Sequence, residues 1–192
     1  IEELSVQYKD YATWQREYLS KEGAHKLDFW REKLSDLKDV HSLPLDKPRP
    51  AKQSFNGSTV FSDIKGSLFE KLEEYSHQHS STIFTTIIAA FSIFLRKYSG
   101  DKDTVIGTPI SIRDAKEVKN LIGCFVNTLV LRNRVNDDLS FEDFLASVSR
   151  NTFEAFENKD VPFEFLVEDL GIERSLHHHP IFQVMIVMQN NK

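Results

Sequence analysis

The run "TIFTTIIAAFSIFLRKYSG" at residues 82–100 constrains the fold more than any other stretch. From residue 83 to 95 it is apolar on nearly every side of a helix, with Lys97 in the last turn and Gly100 as a C-terminal stop. A surface helix carries one apolar stripe; a helix that is apolar all round is expected to be covered on both sides. The two runs that follow, "DTVIGTPISI" and "CFVNTLVLRNRV", read as strands, the second broken only by the polar pair Asn127 and Thr128. Strands apolar on both faces belong to mixed or parallel sheets sheathed by helices. The expected class is α/β, a sandwich with a mixed, mostly parallel sheet covered by helices.

The flanking segments fit that scheme. "YKDYATWQREYLS" and "AHKLDFWREKLSDL" are helix-like, the second with Ala24, Leu27, Trp30, Leu34 and Leu37 at three- and four-residue steps. The proline-rich "PLDKPRPAKQSFNG" reads as a long connection, "STVFSDI" as a strand from its β-branched residues, and "SLFEKLEEYSHQHS" as a helix. Ser140, with Asp143 three residues on, opens a helix carrying Phe141, Leu145, Val148 and Phe156 on one face. A helical turn opened by Pro162 and closed by Gly171 leads to "PIFQVMIVMQN", expected to be a buried strand.

With 192 residues, 40% of them hydrophobic, the chain can bury one ordinary core, so residues 1–192 are expected to form one unit. Its net charge of −5 is spread along the length, and its fifteen phenylalanines lie within apolar segments and not between lysines, which disfavours nucleic acid as a partner. The single cysteine, Cys124, rules out an internal disulfide and suits a reducing, cytoplasmic setting. No run has the length of a membrane span, and the N-terminus lacks the blocks of a signal peptide. Ile1 in place of an initiator methionine suggests a start inside a longer polypeptide. The glycines never approach a phosphate-cradling spacing.

Several residues invite a chemical reading. His177, His178 and His179 are consecutive; on an extended segment neighbours point to opposite sides, so no metal site is expected, and two exposed rings with a third packed inward is the favoured arrangement. His77 and His79, two apart on a helix, do not share a face. Cys124, between Gly123 and Phe125 at the head of a strand, reads as a buried structural thiol. Glu73, Glu74, Asp137, Asp138 and Asp143 read as solvated and are not paired for acid–base work. Asn127 and Thr128 inside an apolar strand must have their hydrogen bonds met, either by a neighbouring segment or by lining a polar channel. Ser111 and Arg113 sit where a strand ends, the usual place for ligand contacts in α/β sheets.

Four stretches together resemble the condensation domain of nonribosomal peptide synthetases. "YKDYATWQ" at residues 8–15, with Tyr11 and Trp14, resembles the family's Y-x-D-Y-A-x-W motif. "IGCFVNTLVLR" at residues 122–132, with Gly123, Asn127, Thr128 and Arg132, resembles I-G-x-F-V-N-T. "NKDVPFE" at residues 158–164, with Asp160, Pro162 and Phe163, is similar to [HN]-Q-D-[YV]-P-F-E, with Lys159 in place of glutamine. "RSLHHHPIFQ" at residues 174–183 resembles R-D-x-S-R-N-P-L-F-Q, keeping Arg174, Pro180, Phe182 and Gln183 but carrying Ser175 and the three histidines in place of the aspartate and the S-R-N.

The resemblance implies a chloramphenicol acetyltransferase-like lobe, one of a V-shaped pair with a tunnel between them. Carrier proteins would present phosphopantetheine-tethered donor and acceptor at its two mouths, and amide formation would follow, with no cofactor bound by this chain. The family's H-H-x-x-x-D-G motif is missing here, so the chain is expected to be the C-terminal subdomain, with no catalytic residue of its own and inactive alone. Its implied partners are the N-terminal lobe, carrier proteins and neighbouring adenylation domains. Asn127, Thr128, Ser111 and Arg113 are the expected tunnel residues; Asp160, Pro162 and Phe163 are expected to fix a turn, and Arg132 to enter an ion pair. A noncatalytic docking module, or a lobe of an epimerisation or cyclisation domain, is the alternative.

Overall fold

The computed structural model describes residues 4–38 and 40–189. Two helices open it, α1 (Tyr8–Lys21) and α2 (Ala24–Lys33). Gln7 and Asp10 cap α1 reciprocally, the Gln7 backbone N–H donating to Asp10 Oδ2 at 2.9 Å. The apolar steps of α2 bury Leu27 and Trp30, and the Trp30 indole N–H donates to the Asn158 carbonyl at 3.0 Å. The helical pair is thereby bolted to the far end of the chain.

After the proline-rich connection come α3 (Ser67–Gln78) and α4 (Ile83–Ser99). Thr82 caps α4 by accepting from the Thr85 N–H at 3.1 Å, and Gly100 closes it at φ 77°, a left-handed conformation that favours glycine. The expectation that α4 is covered on both sides is not met. Its buried stripe is Thr85, Thr86, Ile88, Ala89, Ser92 and Leu95, while Ala90, Phe94 and Tyr98 face solvent. Small and hydroxylated side chains take the core side because they allow close approach and find partners there: Ser76 Oγ lies 2.8 Å from Thr86 Oγ1. The bulky rings fall on the outer side and stack on one another, with Phe94 4.6 Å from Tyr98 between centroids.

The two central strands are β1 (Asp103–Ser111) and β2 (Val126–Arg134). They pair antiparallel from Asp103 opposite Arg134 to Ser111 opposite Val126, which corrects the expectation of a mostly parallel sheet. A parallel connection needs a crossover of a dozen or more residues, usually a helix, whereas residues 112–125 hold only a short 3-10 turn and reverse the chain as a hairpin. The parallel component comes from the C-terminal segment: Gly107 donates to Val184 O and accepts from Ile186 N–H, both at 2.9 Å, so the sheet is mixed. β2 is buried on both faces from Leu129 to Asn133.

Helices α5 (Phe141–Glu157) and α6 (Phe163–Asp169) follow. Ser140 caps α5, accepting from Asp143 N–H at 3.1 Å while its hydroxyl donates to the Asp143 carboxylate at 2.7 Å. Leu145 and Val148 pack with Ile88, Leu129 and Leu131 in a single main core. α4 and α5 both lie against the strands, giving a layer of helix on sheet.

Two further expectations are corrected. Residues 58–64, expected as a strand, form no regular element and lie in solvent, because no sheet edge among the described residues reaches them. The run 180–190, expected as a buried strand, buries only Ile181 and Phe182 and makes a single bridge to β1; Met185, Val187 and Met188 are exposed, and Asn190 lies outside the described residues. No single described helix is long and apolar enough to cross a membrane.

Candidate functional site

The four motif segments, far apart in sequence, meet in one structure around the hairpin. On α1, Tyr8 lies against Gly123, where a Cβ would come within 2.2 Å of the Tyr8 ring, and its hydroxyl donates to Cys124 O at 3.2 Å. Glycine is therefore required at 123 for close approach. Tyr8 and Tyr11 both contact Phe125, with centroids 5.4 and 4.8 Å away. The Arg113 guanidinium also sits over this ring, 4.2 Å from the Phe125 centroid, and donates to the carbonyls of Val118 and Leu121 at 2.8 Å each. Arg113 is the internal clasp of the 112–125 loop.

Phe125 takes the inward direction at the head of β2, and its neighbour Cys124 points outward; the expected buried thiol is exposed. Ile122, at the loop tip, is 95% exposed.

Asn127 is buried and uses its whole hydrogen-bonding capacity. Its amide N–H groups donate to Lys159 O and Val161 O at 2.7 Å each, and its oxygen accepts from Thr128 N–H at 2.8 Å and Phe163 N–H at 3.0 Å. One side chain thus ties β2 to the turn before α6 and satisfies one of that helix's orphan N–H groups. Asp160 pairs with Lys26 of α2, and Pro162 is the N-cap of α6. Burial lowers the affinity of Lys26 for its proton, but the Asp160 hydrogen bond and charge outweigh it and raise its pKa.

Thr128 is half-buried opposite Pro109, and Ser111 is exposed at the end of β1 opposite Val126. In antiparallel register these four share one face.

The fourth motif closes the circuit. Phe182 packs on Gly107, where a Cβ would meet its ring at 2.3 Å, and on Phe163 at 5.6 Å. Gln183 accepts from the His41 backbone N–H and donates to His179 O, each at 3.1 Å. His179 stacks on Phe163 at 5.2 Å and lies 4.4 Å from Phe182, yet it is exposed, as is His177, and His178 is half-buried, so none of the three rings is packed fully inward as expected. Arg174 is exposed. Arg132 is buried and grips Asp103, its Nε 2.9 and 3.0 Å from the two carboxylate oxygens, and it also donates to Lys33 O at 3.0 Å.

Among the grooves beside this framework, two adjoin α1 and the expected tunnel residue Ser111. One, of about 670 Å³, lies between α1 and the loop; Tyr11, Trp14, Tyr18, Ile112 and Val118 line it, with Asp10, Asp114, Glu117 and Asp160 around them. Burial, then the Asp160 carboxylate, raises the Tyr11 pKa, so its phenol stays protonated. Trp14, beside it, is exposed. The other, of about 590 Å³, is lined by Ser111, Thr108, Pro109 and Ile110 of β1, Thr82, Ile83 and Phe84 around the start of α4, Phe156 and Met188. It offers hydroxyls and apolar walls. It contains no histidine, carboxylate, lysine or cysteine among the described residues, so it can hold and orient a chain but has no group that shuttles protons at neutral pH.

Of the four expected tunnel residues, the geometry brings only Ser111 and Thr128 to one face; Asn127 and Arg113 are spent on internal bonds. Lys26, His41, Asp103 and Gly107 are structural partners of the motifs that sequence reasoning misses. Gly107 alone carries a signal, a glycine inside an otherwise apolar strand.

A mixed antiparallel–parallel sheet backed by helices makes this an α/β fold of the chloramphenicol acetyltransferase-like kind. Residues 1–192 match the family described as Condensation domain, and the chain belongs to it. It is 40% identical over 188 residues to gramicidin S synthase 2 of Brevibacillus brevis and 38% identical over 191 residues to bacitracin synthase 3 of Bacillus licheniformis. The alignments cover 97% and 99% of this chain but only 4% and 3% of those relatives. Among solved structures, the X-domain from teicoplanin biosynthesis superposes with a TM-score of 0.91 at 29% identity, over 96% of this chain and 42% of that one. A four-domain nonribosomal peptide synthetase bound to AMP and glycine matches with a TM-score of 0.85 at 26% identity, over 90% of this chain and 13% of that one.

Proposed function

We propose that this chain is the C-terminal subdomain of an amide-forming condensation domain and supplies one wall of its substrate tunnel. The observation that carries this is the groove at Ser111, a binding surface with no proton-transfer group. The reacting histidine would come from a complementary lobe, the part of the fold that this chain, spanning 42% of the X-domain, does not cover. In the joined domain an acceptor amine attacks the carbonyl of a donor thioester; the C–N bond forms, the C–S bond breaks, and the amine proton passes to the departing thiolate. Ser111 and Thr128, on one face of the hairpin, would lie along the path of the phosphopantetheine arms brought by carrier proteins. Asn127, Arg113 and Arg132 would act as positioning residues that keep that face rigid.

The test is amide formation between two loaded carrier proteins, measured with this chain alone and with the two-lobe domain. Product is expected only from the latter; turnover by the isolated chain overturns the proposal.

A second reading, a protein-recruiting module, is favoured by the X-domain likeness, since an X-domain from teicoplanin biosynthesis has also been solved in complex with OxyB. It predicts no amide formation even in the two-lobe domain. The higher identity to peptide synthases, 40% against 29%, favours the first.

A further inference from the structure

Two of the elements that wall the groove at Ser111 are far apart in sequence: β1, which brings Thr108 to Ser111, and the end of α5, which brings Phe156. Three residues beyond each, the chain carries opposite charges. Asp114 follows Ser111 and Lys159 follows Phe156, and the Lys159 ammonium lies 2.9 and 2.7 Å from the two oxygens of the Asp114 carboxylate. The Lys159 side chain is 23% exposed against 63% for Asp114. Its backbone is held as well, because Lys159 O accepts from the Asn127 amide at 2.7 Å and its N–H donates to Phe156 O at 3.3 Å. Lys159 is the anchored partner, and Asp114 is the one drawn towards it.

What Asp114 secures is the exit of β1. The last backbone rung there is Ile112 N–H to Phe125 O at 2.9 Å. Beyond it the Arg113 guanidinium turns into the loop, and the Arg113 backbone N–H reaches Ser111 Oγ at 3.4 Å, a long bond that does little by itself to fix that hydroxyl. Ser111, exposed at the end of the strand, therefore takes its place from the path of residues 112–114.

We infer that Lys159 is a positioning residue: by pairing with Asp114 it holds the end of β1 to the turn after α5 and so fixes the Ser111 hydroxyl in the groove. The inference rests on the tunnel-wall reading above and adds to it a residue that touches no substrate. Glutamine, which the similar motif carries at this place, can hydrogen-bond a carboxylate but has no charge to attract it. The tie is thus ionic in this chain and open to screening by salt. An ion pair with one partner largely in water adds little to folding, so its loss should register in the reaction and not in stability.

The test is amide formation by the two-lobe domain with saturating loaded carrier proteins. Lys159→Ala should lower kcat by about 10-fold, the cost of a small misplacement at a wall, and leave KM within about 2-fold. Lys159→Arg, which keeps the charge, should retain kcat within about 2-fold of the parent. Raising the salt from about 0.05 to 0.5 M should lower kcat of the parent relative to Lys159→Gln, in which no ion pair is left to screen. In a double-mutant cycle, Lys159→Ala introduced into the Ser111→Ala domain should cost less than about 2-fold more, because the hydroxyl it positions is already gone. Urea midpoints of all these variants should stay within about 0.3 M of the parent. Full activity of Lys159→Ala, or an equal loss with and without the Ser111 hydroxyl, overturns the inference and leaves the tunnel-wall reading standing. A midpoint that falls by about 1 M or more along with kcat marks the pair as merely structural and also overturns it. If the two-lobe parent forms no amide, the tunnel-wall reading falls, and this inference with it.

Discussion

Replacing Asn127 by alanine separates a positioning role from a tunnel role. The substitution leaves the Lys159 and Val161 carbonyls without their donor and the Phe163 and Thr128 N–H groups without their acceptor, four bonds of 2.7 to 3.0 Å around a side chain 7% exposed. A net hydrogen bond is worth about 1 kcal/mol, and a buried group left unsatisfied costs about 1–3 kcal/mol. Water can reach some of the vacated groups, since Lys159 is half-buried, so the expected loss is about 3–5 kcal/mol and not the full sum. With a urea m-value of about 2–3 kcal/mol/M for a chain of this size, the midpoint should fall by roughly 1–2 M at unchanged m.

Asn127→Asp should be nearly as damaging at neutral pH, because a carboxylate cannot donate to the two carbonyls and sets a charge against them. Lowering the pH to protonate it should restore part of the loss, since a carboxylic acid regains one donor. Thr128→Ala, by contrast, should cost under about 1 kcal/mol, as its backbone N–H makes the bond to Asn127 and survives the change. Chemical denaturation followed by tryptophan fluorescence is well placed to read this, because Trp30 donates to Asn158, on the same turn. An Asn127→Ala midpoint within about 0.2 M of the parent, combined with a lost reaction in the two-lobe domain, would refute the clamp and return Asn127 to the tunnel.

Gly107→Ala should destabilise by about 2–3 kcal/mol in the same denaturation assay, since its methyl would meet the buried Phe182 ring at 2.3 Å within the sheet. Gly123→Ala should cost less, about 1–2 kcal/mol, and be largely relieved by Tyr8→Ala, a coupling that a double-mutant cycle measures directly. Asp103→Ala strands the buried Arg132 guanidinium and should cost about 3 kcal/mol or more, whereas replacing both partners by apolar residues should cost distinctly less. His41 is held below the ordinary imidazole pKa by burial and then by the Arg49 charge, and its Nδ1 accepts from Leu43 N–H at 3.1 Å, a bond that protonation breaks. The unfolded state therefore binds the proton more readily: stability should be fully present above about pH 6.5 and decline as the pH falls below it, more steeply in the parent than in His41→Gln when urea midpoints at about pH 7.5 and 5.5 are compared.

The helices were legible because their signals are local. Ser140 with Asp143, Thr82 with Thr85, and Gly100 in the left-handed region are cap chemistry written within a few residues. The pairing of the strands was not, because the apolar pattern that says "buried on both faces" is the same for parallel and antiparallel neighbours; only the 112–125 hairpin decides it. α4 misled for a related reason. Periodicity cannot tell a helix covered on both sides from one whose outer rings await a partner or merely cover each other, as Phe91, Phe94 and Tyr98 do. Residues 58–64 read as a strand and form none among the described residues, because a strand needs an edge to pair with and that edge is no property of the segment itself.

The site shows a further limit of reading function from motif residues. Tyr8, Gly123, Phe125, Asn127, Phe163 and Phe182 interlock through rings, one glycine gap and one amide, and none of them presents a free acid, base or nucleophile. Their joint effect is mechanical: the loop is clasped from inside by Arg113, the turn at 158–163 is clamped by Asn127, and the C-terminal segment is locked over Gly107. On the tunnel-wall role proposed above, a surface that holds a tethered thioester and an amine in line has to keep its place to within about 0.5 Å, and rigidity of that order comes from packing and saturated hydrogen bonds, not from reactive groups. Interlocked residues with no proton-transfer group among these six are, on that role, what such a wall requires. It follows that substitutions here should damage stability and reaction together and in proportion, whereas substitutions at Ser111 should alter the reaction while leaving the urea midpoint in place.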